Sequence, residues 1–412
     1  LFKSFFPKPK MFFSSAAIWS GICLALWYGF WRDFGTTFGM GPIEEFQKPI
    51  GLGFFVTNDA LWFYGYFLAV TALFCAFWQV FDRECRWKRW SVWGTAFLLI
   101  VTKYSVDVSV CINNWQRPLF DKIQEALTKP NTVPVWDFYE LFIIFAQIAI
   151  VAVFIFSIFR FVLSHYLFRW RHAMNDYYSE HWKKLRKVEG ASQRIQEDTM
   201  NFANMTENLG SNFVEAFMTL LAFLPILLEL ERFVKELPIV GAIPHPLVTA
   251  AIFWSLFGTI LLWLTGIRLP GLEFNNQKVE AAYRKELVHG EDNHERAHVS
   301  TVNSLFGDVR TNYFKLYFNY LYFNAVRRVY INADNVFSYI LLVPSLSAGA
   351  FSLGVFQQIG TAFGNVSGSF QYLVNSWDDI VKLISIYKRL KTFELAIEDM
   401  PLPETEVESM VT

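Results

Sequence analysis

The sequence predicts an all-α integral membrane protein of about eight membrane-spanning helices, and three observations carry that reading. Of 412 residues, 53% are hydrophobic and 18% aromatic while only 18% are charged, a balance too apolar for a soluble chain of this length. Several apolar runs reach the roughly 20 residues needed to cross about 30 Å of hydrocarbon. Clusters of Arg and Lys fall between alternate runs, as expected of connections that stay in the cytoplasm. The net charge of −1 provides no positive field, so no nucleic-acid partner is expected.

The first run, residues 11–31, follows Lys3, Lys8 and Lys10 and ends on Trp27, Tyr28, Phe30 and Trp31. Its length and aromatic end read as a retained anchor with an interfacial belt, not a cleaved signal. Further runs lie at 59–81, 88–112, 137–168, 211–231 and 246–268, and two less uniformly apolar helices at 315–345 and 350–380 complete the eight. Arg83, Arg86, Lys88 and Arg89 fill the loop after the second run, and Arg169, Arg171, Lys183, Lys184, Arg186 and Lys187 open the segment after the fourth. Both are therefore assigned to the cytoplasm, and an even number of crossings puts both termini there. The polar inserts 169–210 and 269–312 read as helices protruding inward, whereas the segments around Pro42, Pro130 to Pro134 and Pro238 to Pro246 read as outer turns. The acidic stretch Glu398 to Glu408, with Pro401 and Pro403, reads as a loose tail. Cys23, Cys75, Cys85 and Cys111 are too scattered for a disulfide framework or a metal knuckle.

The last helix is the most informative. Gln357, Thr361, Gly364, Gly368, Gln371, Asn375 and Asp378 recur at alternating spacings of four and three, while Ile359, Phe363, Val366, Phe370, Leu373, Trp377 and Ile380 form an apolar stripe beside them. Unpaired polar groups are costly in hydrocarbon, so the polar stripe is expected to line a hydrated cavity. The alternative is close helix packing through Gly360, Gly364 and Gly368 at small-xxx-small spacing. Lys103 and Asp107, one turn apart, read as an internal ion pair, and Arg160, Glu215 and Asp334 are further charges in or near spans.

Carboxylates also recur in the inserts. Glu273, Glu280 and Glu291 return to nearly one helical face, with Gly290 placed to interrupt that helix, and Glu197 and Glu207 are ten residues apart, roughly 15 Å of rise. A buried series of this kind suits the loading and release of protons, and solvated helix faces are the alternative. His294-Glu295-Arg296-Ala297-His298 fits the H-E-x-x-H zinc pattern, but its Gly/Asp/Asn-rich and Ser/Thr-rich flanks are wrong for a catalytic helix. No P-loop, G-x-S-x-G elbow or G-x-G-x-x-G fingerprint occurs in the 412 residues, so no enzymatic activity, metal or cofactor is expected.

Longer segments resemble a known family. Phe2-Lys3-Ser4-Phe5-Phe6-Pro7-Lys8-Pro9, Phe168-Arg169-Trp170-Arg171-His172-Ala173-Met174-Asn175, Gln193-Arg194-Ile195-Gln196-Glu197-Asp198-Thr199-Met200, Leu269-Pro270-Gly271-Leu272-Glu273-Phe274, Ala281-Ala282-Tyr283-Arg284-Lys285-Glu286-Leu287 and Phe370-Gln371-Tyr372-Leu373-Val374-Asn375-Ser376-Trp377 resemble the SbmA/BacA family of bacterial inner-membrane peptide transporters, its BacA branch above all. The resemblance implies a homodimer arranged like the membrane part of an ABC exporter, without a nucleotide-binding domain. A membrane helix pair at 1–82 would precede a core at 83–390 and a cytoplasmic tail at 391–412. It further implies import of peptides, antimicrobial peptides and peptide-like antibiotics included, driven by protons through a ladder of glutamates; the similar positions are Glu197, Glu207, Glu280 and Glu291. Gln193 and Arg389 match positions regarded as functionally important in the family. Its links to symbiosis and to very-long-chain fatty acids keep membrane lipid open as a partner or substrate. The rival expectations are a half-transporter that recruits a separate ATPase, an enzyme or accessory factor of lipid maturation, and a structural scaffold.

Overall fold

The computed structural model describes residues 1–44, 47–186, 188, 191–234, 236–238, 241–292 and 297–398. The chain is an all-α membrane protein, 87% helical, with no strand among the described residues. Ten helices of 18 residues or more account for most of it: α1 Pro9–Leu26, α2 Asn58–Phe81, α3 Thr95–Thr128, α4 Val135–Glu180, α5 Thr199–Leu230, α6 Pro246–Gly266, α7 Leu269–Asp292, α8 Val299–Ser347, α9 Leu353–Phe370 and α10 Trp377–Ile397.

Six helical segments are long and apolar enough to cross a membrane, beginning at Pro9, Asn58, Arg89, Val135, Ala191 and Pro246. They include the six apolar runs read from the sequence. The two less apolar helices are also present, as α8 and α9. Their boundaries differ from expectation for one physical reason. Helicity continues where apolarity ends, because Arg, Trp, His and Met propagate a helix that is leaving the bilayer. The run at 137–168 becomes the 46-residue α4, and the run at 88–112 becomes a π-helical turn at Arg89–Gly94 joined to the 34-residue α3, with Pro118 inside it. α1 likewise passes Trp31 through a π-helical turn at Trp27–Trp31, and α7 runs unbroken through Gly290. The sequence pattern predicts the last helix as one piece, but the chain bends twice there. Gln371 (φ −84°, ψ 2°) ends α9, and Ser376 (φ −93°, ψ 6°) precedes α10, with a short helical turn at Tyr372–Asn375 between them. The backbone ladder survives both bends, since Asn375 N donates to Gln371 O and Ile380 N to Ser376 O.

α9 sits at the centre, packed on α3, α5 and α6. Its apolar stripe provides the seam: Ile359, Ala362, Phe363 and Val366 are buried with Phe223, Ile226 and Leu227 of α5 and Val108 and Cys111 of α3. Within a bilayer such a seam is held by close van der Waals packing rather than by removal of apolar surface from water. The start of α9 is pinned to α3, because Asp121 Oδ1 accepts from Gly354 N at 2.9 Å and Gln124 Oε1 from Leu353 N at 2.6 Å, satisfying donors that a helix N-terminus leaves open. Gly354 is needed there, since a Cβ would overlap the Arg117 carbonyl and the Asp121 carboxylate. A second core joins Phe5, Phe6, Tyr166, Trp170 and Phe202 to Leu390 and Phe393 of α10. On α4 and α6, by contrast, Ile150, Phe154, Phe161, Phe253 and Leu256 are exposed, as lipid-facing side chains are.

Candidate functional site

The polar stripe of α9 divides at the first bend. Gly364 and Gly368 are exposed, and a Cβ built on either meets nothing within 4 Å. Gly360 would meet only Tyr339, at 3.6 Å. Among the described residues, then, Gly364 and Gly368 do not serve close helix packing, whereas Gly360 lies against Tyr339 of α8. Gln357 and Thr361 are half-buried at the edge of this open face, and Thr361 Oγ1 donates to Gln116 Oε1 of α3 at 2.8 Å. Gln371 does not share the open face. It is buried, and its Nε2 donates to Ser367 Oγ at 2.8 Å and to Asp334 Oδ1 of α8 at 3.3 Å. The bend at Gln371 shifts the helical phase, so alternation past that residue no longer marks one side. Beyond it, Asn375 is exposed and Asp378 pairs with Arg327 at 3.2 Å.

Behind Thr361 lies a buried polar seam that the sequence reading missed. Gln358 Nε2 donates to Asn114 Oδ1 at 3.2 Å, and Asn113 Nδ2 donates to the Gln358 carbonyl at 3.2 Å. Its signal was the run Asn113-Asn114-Trp115-Gln116, just past the assigned end of the third apolar run.

A second polar group gathers where α5, α7 and α10 meet, and it contains both residues singled out by resemblance. Arg389 holds Asp198 through two bonds, Nε to Oδ2 at 3.0 Å and Nη2 to Oδ1 at 2.8 Å, the fork geometry that a guanidinium offers a carboxylate. Arg389 Nη1 also reaches Gln277 Oε1 at 3.4 Å, to which Ser385 donates, and Arg194 Nη1 donates to the Arg389 carbonyl at 2.9 Å. Gln193 lies beside this pair. It accepts from Arg284 Nη1 of α7 at 2.8 Å and donates to Glu197 Oε2 at 3.1 Å. Asp198, Gln277 and Ser385 were not read as site residues, because their partners are more than a hundred residues away in sequence. The network ties the first insert to the second and both to α10.

The four glutamates have separate surroundings. Glu197 is exposed in a π-helical turn with Gln193 as donor, and Glu207 is half-buried and accepts from Ser211 Oγ at 2.7 Å. Glu280 is half-buried one turn before Arg284, and Glu291 is exposed near the end of α7. Lys103 and Asp107 form the expected pair, to which Tyr64 of α2 adds a hydroxyl donor, so this carboxylate is already satisfied. His294, Glu295 and Arg296 of the H-E-x-x-H pattern lie outside the described residues, and among the described residues no group of three His, Cys, Asp or Glu could hold a metal.

In a multi-pass helical protein, a central helix that is apolar on its packed side and polar on its open side needs water or a partner beside the polar side. The chain is a member of the SbmA/BacA-like family, whose model matches residues 84–398. It is 24% identical over 319 residues to the inner membrane ABC transporter ATP-binding protein YddA of Escherichia coli (strain K12), covering 72% of this chain and 55% of that protein. An uncharacterized ABC transporter ATP-binding protein of Synechocystis is 22% identical over 346 residues, covering 78% and 48%. ABC transporter D family member 2, chloroplastic, of Arabidopsis thaliana is 24% identical over 247 residues, covering 55% and 33%. The chain thus spans about half the length of the first two relatives.

Proposed function

We propose that this protein is a proton-gradient-driven importer of peptides and peptide-like antibiotics across the bacterial inner membrane, working as a homodimer by alternating access. The observation that carries the reading is the open face of α9. Gly364 and Gly368 face a side that none of the described residues covers, and the half-buried Gln357 and Thr361 lie at its edge. A second copy facing that side would enclose a wide hydrated path whose lining is adaptable enough for varied peptides. Residues 83–390 would form the ABC-exporter-like core, 1–82 an added helix pair and 391–412 a tail, with both termini cytoplasmic. In this scheme the glutamates of the protruding helices, Glu197, Glu207, Glu280 and Glu291, exchange protons with the cytoplasm. The Gln193–Arg284 contact holds the two inserts together, and the Arg389–Asp198 pair ties the first of them to α10, as the core rocks.

Proteoliposomes containing the purified full chain provide the test. A labelled peptide is expected to accumulate when a pH gradient is imposed, and uptake that is unchanged when the gradient is collapsed would refute the proton-driven reading. A second reading, transport powered by a separate ATPase, draws on the relatives named as ATP-binding proteins, of which this chain covers 55% and 48%. Uptake that requires ATP and a co-purifying ATPase would replace the first reading with the second.

A further inference from the structure

Asp334 on α8 is a carboxylate at the depth of the middle of a membrane span. Its Oδ1 accepts from Trp254 Nε1 at 2.7 Å, and Trp254 lies near the centre of the 21-residue apolar helix α6. The same oxygen accepts from Gln371 Nε2 at 3.3 Å and Ser367 Oγ at 3.4 Å, while Ser255 Oγ lies 3.2 Å from Ser367 Oγ. Three helices therefore meet on one oxygen. Among the described residues, Oδ2 accepts no hydrogen bond.

Among the described residues, none forms an ion pair with Asp334. Neither α6 nor α9 contains a single Asp, Glu, Lys, Arg or His. On α8 itself, Arg327 is paired with Asp378 at 3.2 Å, Arg328 is exposed, and the neutral Tyr330 hydroxyl donates to the Trp254 carbonyl at 3.2 Å. The next charges along, Asp379 and Lys382 on α10, face each other at 3.9 Å. An ionised carboxylate at this depth with no opposing cation is costly, and such a residue normally marks a path for protons, ions or substrate. A proton on Oδ2 removes the charge and leaves all three donors in place on Oδ1. A metal cation fits less well, because it needs surrounding oxygens, whereas Trp254 and Gln371 both present N–H groups here.

We propose that Asp334 is a second protonation site of the transport cycle, at mid-membrane and distinct from the glutamates of the cytoplasmic helices. The proposal rests on the proton-driven reading above. In the ionised form Oδ1 holds Gln371 and Ser367 strongly and fixes the bend at the end of α9; in the neutral form those bonds weaken and the bend is free to change. Proton loading would in this way be tied to movement of the helix that carries the open polar face.

Two measurements on the full chain in proteoliposomes test this. The first compares pH-gradient-driven accumulation of a dansyl-labelled decapeptide with its counterflow exchange in the absence of any gradient. D334N is expected to lose accumulation while retaining counterflow, and D334E to recover part of the accumulation, which a merely structural role would not give. Accumulation by D334N at the wild-type level overturns the assignment of Asp334. Wild-type uptake indifferent to the pH gradient overturns the proton-driven reading itself, and a sodium gradient that drives uptake in its place would make the coupling ion sodium. The second measurement is an infrared pH titration, in which the wild type is expected to show a protonated-carboxyl band that D334N lacks. An unchanged set of bands in D334N overturns the assignment whatever the transport result.

Discussion

Gly258 and Gly364 test the packing of α6 and α9 directly, because the same substitution should act in opposite directions at the two positions. A Cβ at Gly258 would overlap the ring and hydroxyl of Tyr330, which is buried, stacked on Trp254 at 5.4 Å, and hydrogen-bonded to its carbonyl. Overpacking of this kind costs about 1–3 kcal/mol, and loss of the hydroxyl bond adds about 1 kcal/mol. Gly to Ala in a helix returns about 1 kcal/mol, leaving Gly258→Ala about 1–3 kcal/mol less stable than the wild type. At Gly364 nothing lies within 4 Å, so only the gain in helix propensity remains. Thermal unfolding in detergent, followed by reaction of newly exposed cysteines with a fluorogenic maleimide, should place Gly258→Ala below the wild type and Gly364→Ala level with it or above. Two alanine variants that melt together would refute the packing described for α6 and α8. A destabilised Gly364→Ala would show instead that this face is closely packed, as the small-xxx-small alternative requires.

The remaining predictions concern the polar groups. Asp198→Asn and Arg389→Ala each break a bidentate pair whose carboxylate is buried. Because the Arg389 side chain is 38% exposed, the loss should be about 1–3 kcal/mol, below the full cost of an isolated buried charge, and visible as a lower melting temperature than that of Lys382→Ala. Glu207→Gln and Glu280→Gln are expected to slow gradient-driven peptide uptake while leaving the elution profile and melting temperature unchanged; undiminished uptake in both would remove them from the proton path. Single cysteines at 357, 361, 364 and 368 should react with a membrane-impermeant maleimide in proteoliposomes, whereas those at 359, 363 and 366 should not. The native background in that experiment should be low, because Cys23, Cys75 and Cys111 are buried and burial pushes the Cys85 thiol above its ordinary range, keeping it protonated at neutral pH. Raising the pH should increase Cys85 labelling, and fast labelling at neutral pH would contradict its surroundings.

Much of the fold can be read from local pattern. The alternation of Ile359, Phe363 and Val366 identifies the packed side of α9 because a helix repeats every 3.6 residues whatever it packs against. Helix ends are less legible, as α4 shows: the apolar run stops near Phe168, but the backbone ladder continues to Glu180. The site is legible only in part. Gln371 fits the polar stripe by spacing, yet it turns inward because Asp334, 37 residues earlier, accepts its amide. Similarly, Arg389 and Asp198 are 191 residues apart, and no local rule pairs them. Gln116 and Thr361 meet for the same kind of reason, since only the packing of α3 on α9 brings those two polar side chains to 2.8 Å.

The length of α8 has a mechanical consequence. From Asp334 to its start at Val299 the helix covers 35 residues, about 52 Å, while only 13 residues, about 20 Å, lie on the other side before Ser347. Because α7 packs along the long arm, α7 and α8 together form a lever of unequal arms about the point held by Trp254, Gln371 and Ser367. A tilt of about 10° around that fulcrum would carry the far end roughly 9 Å, and the short end little more than 3 Å. On the proposal that Asp334 exchanges a proton, a local change at the fulcrum would thus be read out as a large displacement of the far tip.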